Sequence, residues 1–252
     1  MNRKVVLDSF AKRIVSTVPS QTELLCDLGV YPQLVGRTRF CIHPKEELKP
    51  ITDVGGTKSL KLDVIDELKP DLVIANKEEN ERSDILELQR HYPVYISDVS
   101  DVHGALEMIE DVGVLTNSEK ASRELREKIT TGFNTTPSFK GSVVYLIWYK
   151  PYMAVGSGTY VHNMLEHLGF SNAMSAAERY PELSIEKLVE LQPDHVFLSS
   201  EPFPFKEKHV DELNEVLPNS TITLVDGEMF SWYGSRMLKA IPYLKSLHKK
   251  LQ

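Results

Sequence analysis

Short apolar runs bounded by turn residues alternate with amphipathic stretches along the whole chain. RIVSTV at 13–18 reads as a first buried strand, and PSQTELLCDLG behind it as a helix. Pro19 and Ser20 open that helix, Ser20 or Thr22 caps it ahead of Glu23, and Gly29 stops it. LVGRT (34–38) is the next strand, and a polar loop rich in Pro and Gly, FCIHPKEELKPITDVGGTKS, follows it. The pattern then predicts helix 61–68, strand 71–75, helix 82–91, strand 93–97 and helix 101–115. Such alternation makes a parallel sheet flanked by helices on both faces. Residues 117–133 differ in texture: Asn117 or Ser118 caps a helix in which Ala121, Leu125 and Ile129 recur every four positions among charges. A second series follows, with strand 143–148, helix 159–168 stopped by Gly169, helix 209–216, strand 221–226 and a closing helix near 234–249.

Within this alternation one segment occurs twice. LDVIDELKPDLVIANKE at 62–78 and IEKLVELQPDHVFLSSE at 185–201 align without a gap at an offset of 123. Glu67/Glu190, Leu68/Leu191, Pro70/Pro193, Asp71/Asp194, Val73/Val196 and Glu78/Glu201 are identical, and Asp63/Glu186 conserve an acid. Each copy has the grammar of a short helix, a break at Pro, and a buried parallel strand ending in polar residues. A repeat of about half the chain predicts two similar α/β lobes, at 1–116 and 136–252, with 117–135 as the helix that joins them. Two lobes make a cleft, and a cleft predicts a ligand-binding protein.

Composition narrows the class. A net charge of −7 and a pI near 5.7 exclude the basic stripe that nucleic acid demands, and no apolar run approaches the ~18 residues of a membrane span. The start, MNRKVVLDSFAKRIVSTVPSQTELL, lacks the pattern of a secretion leader, because Asp8, Lys12 and Arg13 interrupt it. That predicts either a cytoplasmic protein or one in which Met replaces a removed leader. Cys26, among leucines, reads as a buried thiol, and two cysteines imply no disulfide framework.

The candidate chemistry is that of binding. Loops 148–153, 179–181, 201–206 and 228–236 concentrate aromatics and interleave them with Lys150, Arg179, Lys206 and Arg236. Aromatics belong in a core unless a ligand covers them, so Phe40, Trp148, Tyr152, Tyr180, Phe205, Trp232 and Tyr233 are candidate ligand contacts. Lys58, Lys77, Lys150, Arg179 and Arg236 form a candidate cationic rim for an anionic ligand. Cys41 and His43 have no further ligating cluster to complete a metal site, and His162-Asn-Met-Leu-Glu166-His167 fails the spacing of a zinc protease. There is no G-x-S-x-G elbow, no Walker A loop and no G-x-G-x-x-G turn, so no enzyme class is indicated. Asp63 and Glu186 each begin a predicted helix, where the helix dipole favours an acid.

RIVSTVPSQTELLCDLG, DELKPDLVIAN and YPELSIEKLVELQPD resemble the helical-backbone periplasmic binding proteins, the substrate receptors of ABC importers for cobalamin, ferric siderophores, haem and metals. The resemblance spans essentially the whole chain. It implies two α/β lobes joined by one long helix, and a bulky metal complex held between them by Phe40, Thr57, Asn76, Tyr152 and Tyr180. Thr57 and Asn76 depart from the large aromatics of the cobalamin receptor. It further implies an ABC permease as partner, docked through Asp63 and Glu186, a monomer in solution, and no cofactor beyond cobalt or iron carried by the ligand. The competing expectation is a cytoplasmic carrier or sensor of a tetrapyrrole or metal complex.

Overall fold

The structure, a computed structural model, describes residues 5–252; the first four residues of the start read above lie outside them. The chain divides into two compact units. The first holds the chain up to Val99, His103–Thr130 and Tyr233–Arg236; the second holds Ser100–Val102, Thr131–Trp232 and Met237–Gln252.

In chain order the first series is β1 (Ile14–Ser16), α1 (Pro19–Asp27), β2 (Leu34–Arg37), α2 (Lys45–Leu48), β3 (Thr52–Asp53), the small hairpin β4 (Gly55–Gly56) and β5 (Ser59–Leu60), α3 (Leu62–Leu68), β6 (Leu72–Asn76), α4 (Arg82–His91), β7 (Val94–Ser97) and α5 (Val102–Leu115). Its sheet runs β3-β2-β1-β6-β7 with every pair parallel. β6 is apolar on both faces, with Leu72 through Ala75 fully buried, as a strand covered on both sides requires. Val15, Val54, Ile65, Ile85, Leu88 and Val94 close the core on one side.

α6 (Glu119–Asn134) follows, and the division between units falls within it, after Thr130. At 1.5 Å per residue it spans about 24 Å. Its buried stripe is Leu125, Ile129 and Phe133, the four-residue spacing of the sequence carried one turn further.

The second series is β8 (Ser142–Trp148), β9 (Tyr152–Ala154), α7 (Tyr160–His167), β10 (Ser171–Asn172), β11 (Glu182–Leu183), α8 (Ile185–Leu191), β12 (His195–Ser199), α9 (Glu207–Val216), β13 (Thr221–Val225), α10 (Glu228–Ser231) and α11 (Arg236–Lys250). The sheet runs β11-β9-β8-β12-β13, with β10 beside β8. β8, β12 and β13 are parallel, as predicted, and the short β10, which the sequence did not indicate, pairs with β8 in parallel. The purely parallel second sheet is corrected in one respect, since β9 runs antiparallel to both β8 and β11. The connection 149–151 is too short for a crossover, so the chain can only reverse there, and Lys150 at φ 60° supplies the left-handed residue of the turn.

The repeat is exact in the backbone. α3 and α8 begin and end 123 residues apart, as do β6 and β12, and Lys69 and Gln192 both leave their helices at φ 46°. The conserved acid explains itself. Asp71 accepts the backbone N–H of Lys12 and Arg13 at 2.8 and 2.9 Å, clamping the start of β1. Asp194 accepts the N–H and hydroxyl of Ser142 at 2.6 and 2.8 Å, clamping the start of β8. Each copy therefore carries its own pin for the neighbouring strand.

Candidate ligand-binding site

In the second unit, the loops leaving β8 and β12 fold into an aromatic layer. Trp148, 41% exposed, meets Phe203 edge-on at 5.8 Å between ring centroids. Tyr149 packs against Tyr152 at 5.4 Å, Phe203 at 5.6 Å and His209 at 4.7 Å, and its hydroxyl donates to Glu212 at 2.7 Å. Tyr152 is half-buried on β9, and burial pushes its phenol up to about 12. His209 is buried beneath the layer; its Nδ1 accepts the N–H of Lys206 at 2.9 Å, which leaves the ring proton on Nε2 and removes that nitrogen as a metal ligand. Phe205, placed among the ligand contacts by its loop position, is instead core: it is 6% exposed and packs with Leu198 and Leu213. The loop turns back on the end of β12, where the Phe205 N–H donates to Ser199 O at 3.4 Å, and nothing in the run Phe-Pro-Phe signals which ring turns inward.

A second group lies where the loop after β12 meets the segment around α10. Trp232 is half-buried and donates its indole N–H to Glu201 Oε1 at 2.9 Å; Ser231 donates to the same oxygen at 2.7 Å. Burial raises the Glu201 carboxyl above its ordinary range, with Glu228 and Asp226 adding to the effect and the two hydrogen bonds opposing it. Tyr180 is half-buried beside Arg179, whose guanidinium lies 5.7 Å from the ring centroid and donates to Gly158 O at 3.2 Å.

In the first unit, Phe40 stands 54% exposed and Ile42 51% exposed, on the loop after β2. Thr57 is half-buried in the β4–β5 turn, and its carbonyl accepts from Asn80 at 3.1 Å. Asn76 is 2% exposed, and its amide is spent inside the unit. Nδ2 donates to Ser97 O and Oγ at 3.0 Å, while Oδ1 accepts the N–H of Glu78 and Glu79. Asn76 thus shapes the loop after β6. Tyr233 is buried, and Arg236 is buried in an ion pair with Glu23 at 2.7 Å.

The five basic residues are all engaged. Lys58 donates to the carbonyls of Glu78 and Asn80, Lys77 pairs with Asp98, and Lys150 lies 4.7 Å over the Tyr149 ring. Arg179 and Arg236 are held as described. Of the expected cationic rim, Arg236 is buried, whereas Lys150 and the Lys77–Asp98 pair remain exposed at the surface.

Asp63 and Glu186 are exposed in the first turns of α3 and α8. The Glu186 carboxyl is held below its usual range by its own backbone N–H and by Ser184, the helix cap. Cys41 is buried; Thr22 donates to its Sγ at 3.1 Å and Thr38 lies 3.2 Å away, and burial pushes the thiol up. Among the described residues no group of three or more His, Cys, Asp or Glu is arranged for a metal ion, and no helix is long and apolar enough to cross a membrane. A cavity of about 740 Å³ lies along β7 between α4 and α5, lined by Leu86, Tyr95 and Met108 among others, and it contains none of the aromatic candidates.

Paired lobes of this topology, with aromatics at the carboxyl ends of the strands, define a binding protein. The chain belongs to the periplasmic binding protein family, whose model matches residues 14–220. It is 26% identical over 242 residues to the vitamin B12-binding protein of Vibrio campbellii, covering 92% of this chain and 87% of that one. Its fold matches the periplasmic vitamin B12-binding protein of Vibrio cholerae with a TM-score of 0.79 at 21% identity, over 96% of this chain and 98% of the other. A periplasmic haem-binding protein from Roseiflexus sp. RS-1 matches equally, with a TM-score of 0.79 at 20% identity over 96% and 100%.

Proposed function

We propose that this protein is the substrate receptor of an ABC importer and captures a corrinoid, a cobalt complex whose periphery carries neutral amides, without performing chemistry on it. The observation that carries this reading is the half-exposed layer of Trp148, Tyr149, Tyr152 and Phe203, beside which Lys58, Lys77, Arg179 and Arg236 are held by groups of the chain itself. Flat aromatic surface left open to solvent is costly unless a ligand covers it. Haem propionates and ferric citrate would instead call for cations that are free to turn toward them. The vitamin B12-binding relatives support the same choice.

The receptor reading places the protein outside the cytoplasm or at the membrane, and the family supports it over a cytoplasmic carrier or sensor. It assigns residues 1–116 and 136–252 to lobes joined through 117–135, a monomeric state, and docking of the permease by Asp63 and Glu186. The test is substitution within the layer. Trp148→Ala and Tyr152→Ala are expected to weaken cyanocobalamin roughly tenfold to thirtyfold, as for a buried aromatic anchor, with a smaller loss of melting temperature than removal of a core ring brings. Phe205→Ala should do the reverse, costing about 3–5 kcal/mol of stability as a core ring. Wild-type affinity in both surface variants would remove this layer from the binding site.

A further inference from the structure

We infer that Glu201 is the specificity-determining residue of this site: one carboxylate oxygen fixes the plane of the Trp232 indole, and the other accepts a hydrogen bond from a donor on the ligand. It would thereby select complexes edged with amide or hydroxyl groups over complexes edged with carboxylates. The inference rests on the reading that the strand-end loops of the second unit hold the ligand, and it names the part of the ligand they recognise.

The geometry is asymmetric. Both hydrogen bonds to the side chain, from Trp232 Nε1 and Ser231 Oγ, arrive at Oε1. No described residue donates to Oε2, and the residue is half-buried. Its backbone N–H donates to Ser199 Oγ at 3.3 Å, which ties it to the end of β12. It also rests on Gly227, where an added Cβ would stand 2.5 Å from Glu201 Cγ and 2.4 Å from Ser199 Oγ. The carboxylate is thus held in place by contacts that leave one acceptor unused.

The charge is the second point. No described cation pairs with Glu201, and the neighbouring charges that act on it are those of Glu228 and Asp226. If holding an indole N–H were the only task, a neutral glutamine would do it without the desolvation that a half-buried carboxylate incurs. An ionised carboxylate is acceptor-only, so it welcomes an amide or hydroxyl donor and opposes a propionate or citrate arm. Glu201 is also one of the six positions identical between the repeat copies, whereas its partner Trp232 lies outside the repeat.

Glu201→Gln and Glu201→Ala separate the two tasks on the full chain. Glutamine keeps a carbonyl acceptor for Trp232, whereas alanine removes both functions. Ligand-free emission, recorded in a Trp148→Phe background so that Trp232 is the sole indole, should be unchanged by Glu201→Gln. Glu201→Ala should red-shift it and open it to iodide quenching. Calorimetry on the chain with Trp148 intact should show cyanocobalamin weakened on the order of tenfold in Glu201→Gln, the scale of a hydrogen bond to a charged group, with the preference for cyanocobalamin over haemin reduced. Wild-type cyanocobalamin affinity in both variants would overturn the acceptor role, and unchanged emission in Glu201→Ala would overturn the positioning role. If the unmodified chain binds neither cyanocobalamin nor haemin, the corrinoid reading fails and the acceptor role with it, while the emission still decides the positioning of Trp232.

Discussion

The ion pair between Glu23 and Arg236 is the contact whose loss the first unit should feel most. Glu23 is 1% exposed in the middle of α1, and Arg236 is 5% exposed at the start of α11, 213 residues away in sequence. Their 2.7 Å bond ties the segment Tyr233–Arg236 into the first unit. Glu23→Ala would leave a guanidinium buried without its carboxylate, a change that costs about 3–5 kcal/mol where both charges are desolvated. For a chain of this size each kcal/mol shifts the melting temperature by about 2–4 °C, so a fall of roughly 6–20 °C is expected. Replacing both partners with apolar residues, Glu23→Leu with Arg236→Met, should recover most of that loss, because the desolvation of both charges disappears together. Urea unfolding of the wild type, both single variants and the double variant gives the coupling directly. A cost for Glu23→Ala below about 1 kcal/mol, the range of an exposed pair, would refute the reasoning.

Two further outcomes follow from charge. The folded-state carboxyl of Glu201 is raised by burial, so between its unfolded and folded pKa values the native state binds more protons than the unfolded one, and its contribution to stability falls as pH rises through that window. Glu201→Gln should flatten this part of a stability-against-pH curve measured by chemical denaturation; an unchanged curve would count against the burial effect. Reversing charge at Asp63 and Glu186 with Lys should leave ligand affinity within error, since both are exposed, and lower the melting temperature by only a few degrees through the helix dipole, yet abolish ligand-stimulated ATPase of the cognate transporter in proteoliposomes; full stimulation would dismiss the docking role.

The sequence repeat maps onto structure at the level of single residues, because helix α3/α8, its left-handed exit and strand β6/β12 are encoded locally by apolar spacing and a Pro-Asp break. The antiparallel β9 and β11 were not legible, since three- and two-residue strands carry too little periodicity to register. The site was legible as a set of aromatic loops. Which rings face solvent was not, because that depends on how each loop folds back: Phe203 stays half-buried in the layer while Phe205, two residues on, enters the core. The surroundings of the basic residues were hidden for a similar reason. Composition identifies Lys58, Lys77 and Arg236 as cations, but only the tertiary fold brings the carbonyls and carboxylates that occupy them.

The most direct test of the central claim is calorimetric titration of the full wild-type chain with cyanocobalamin, haemin and ferric citrate under one buffer. Cyanocobalamin should bind at one site with a dissociation constant of about 1 μM or tighter, about −8 kcal/mol, and at least tenfold more tightly than either anionic complex. Tighter binding of haemin or ferric citrate than of cyanocobalamin would contradict the account.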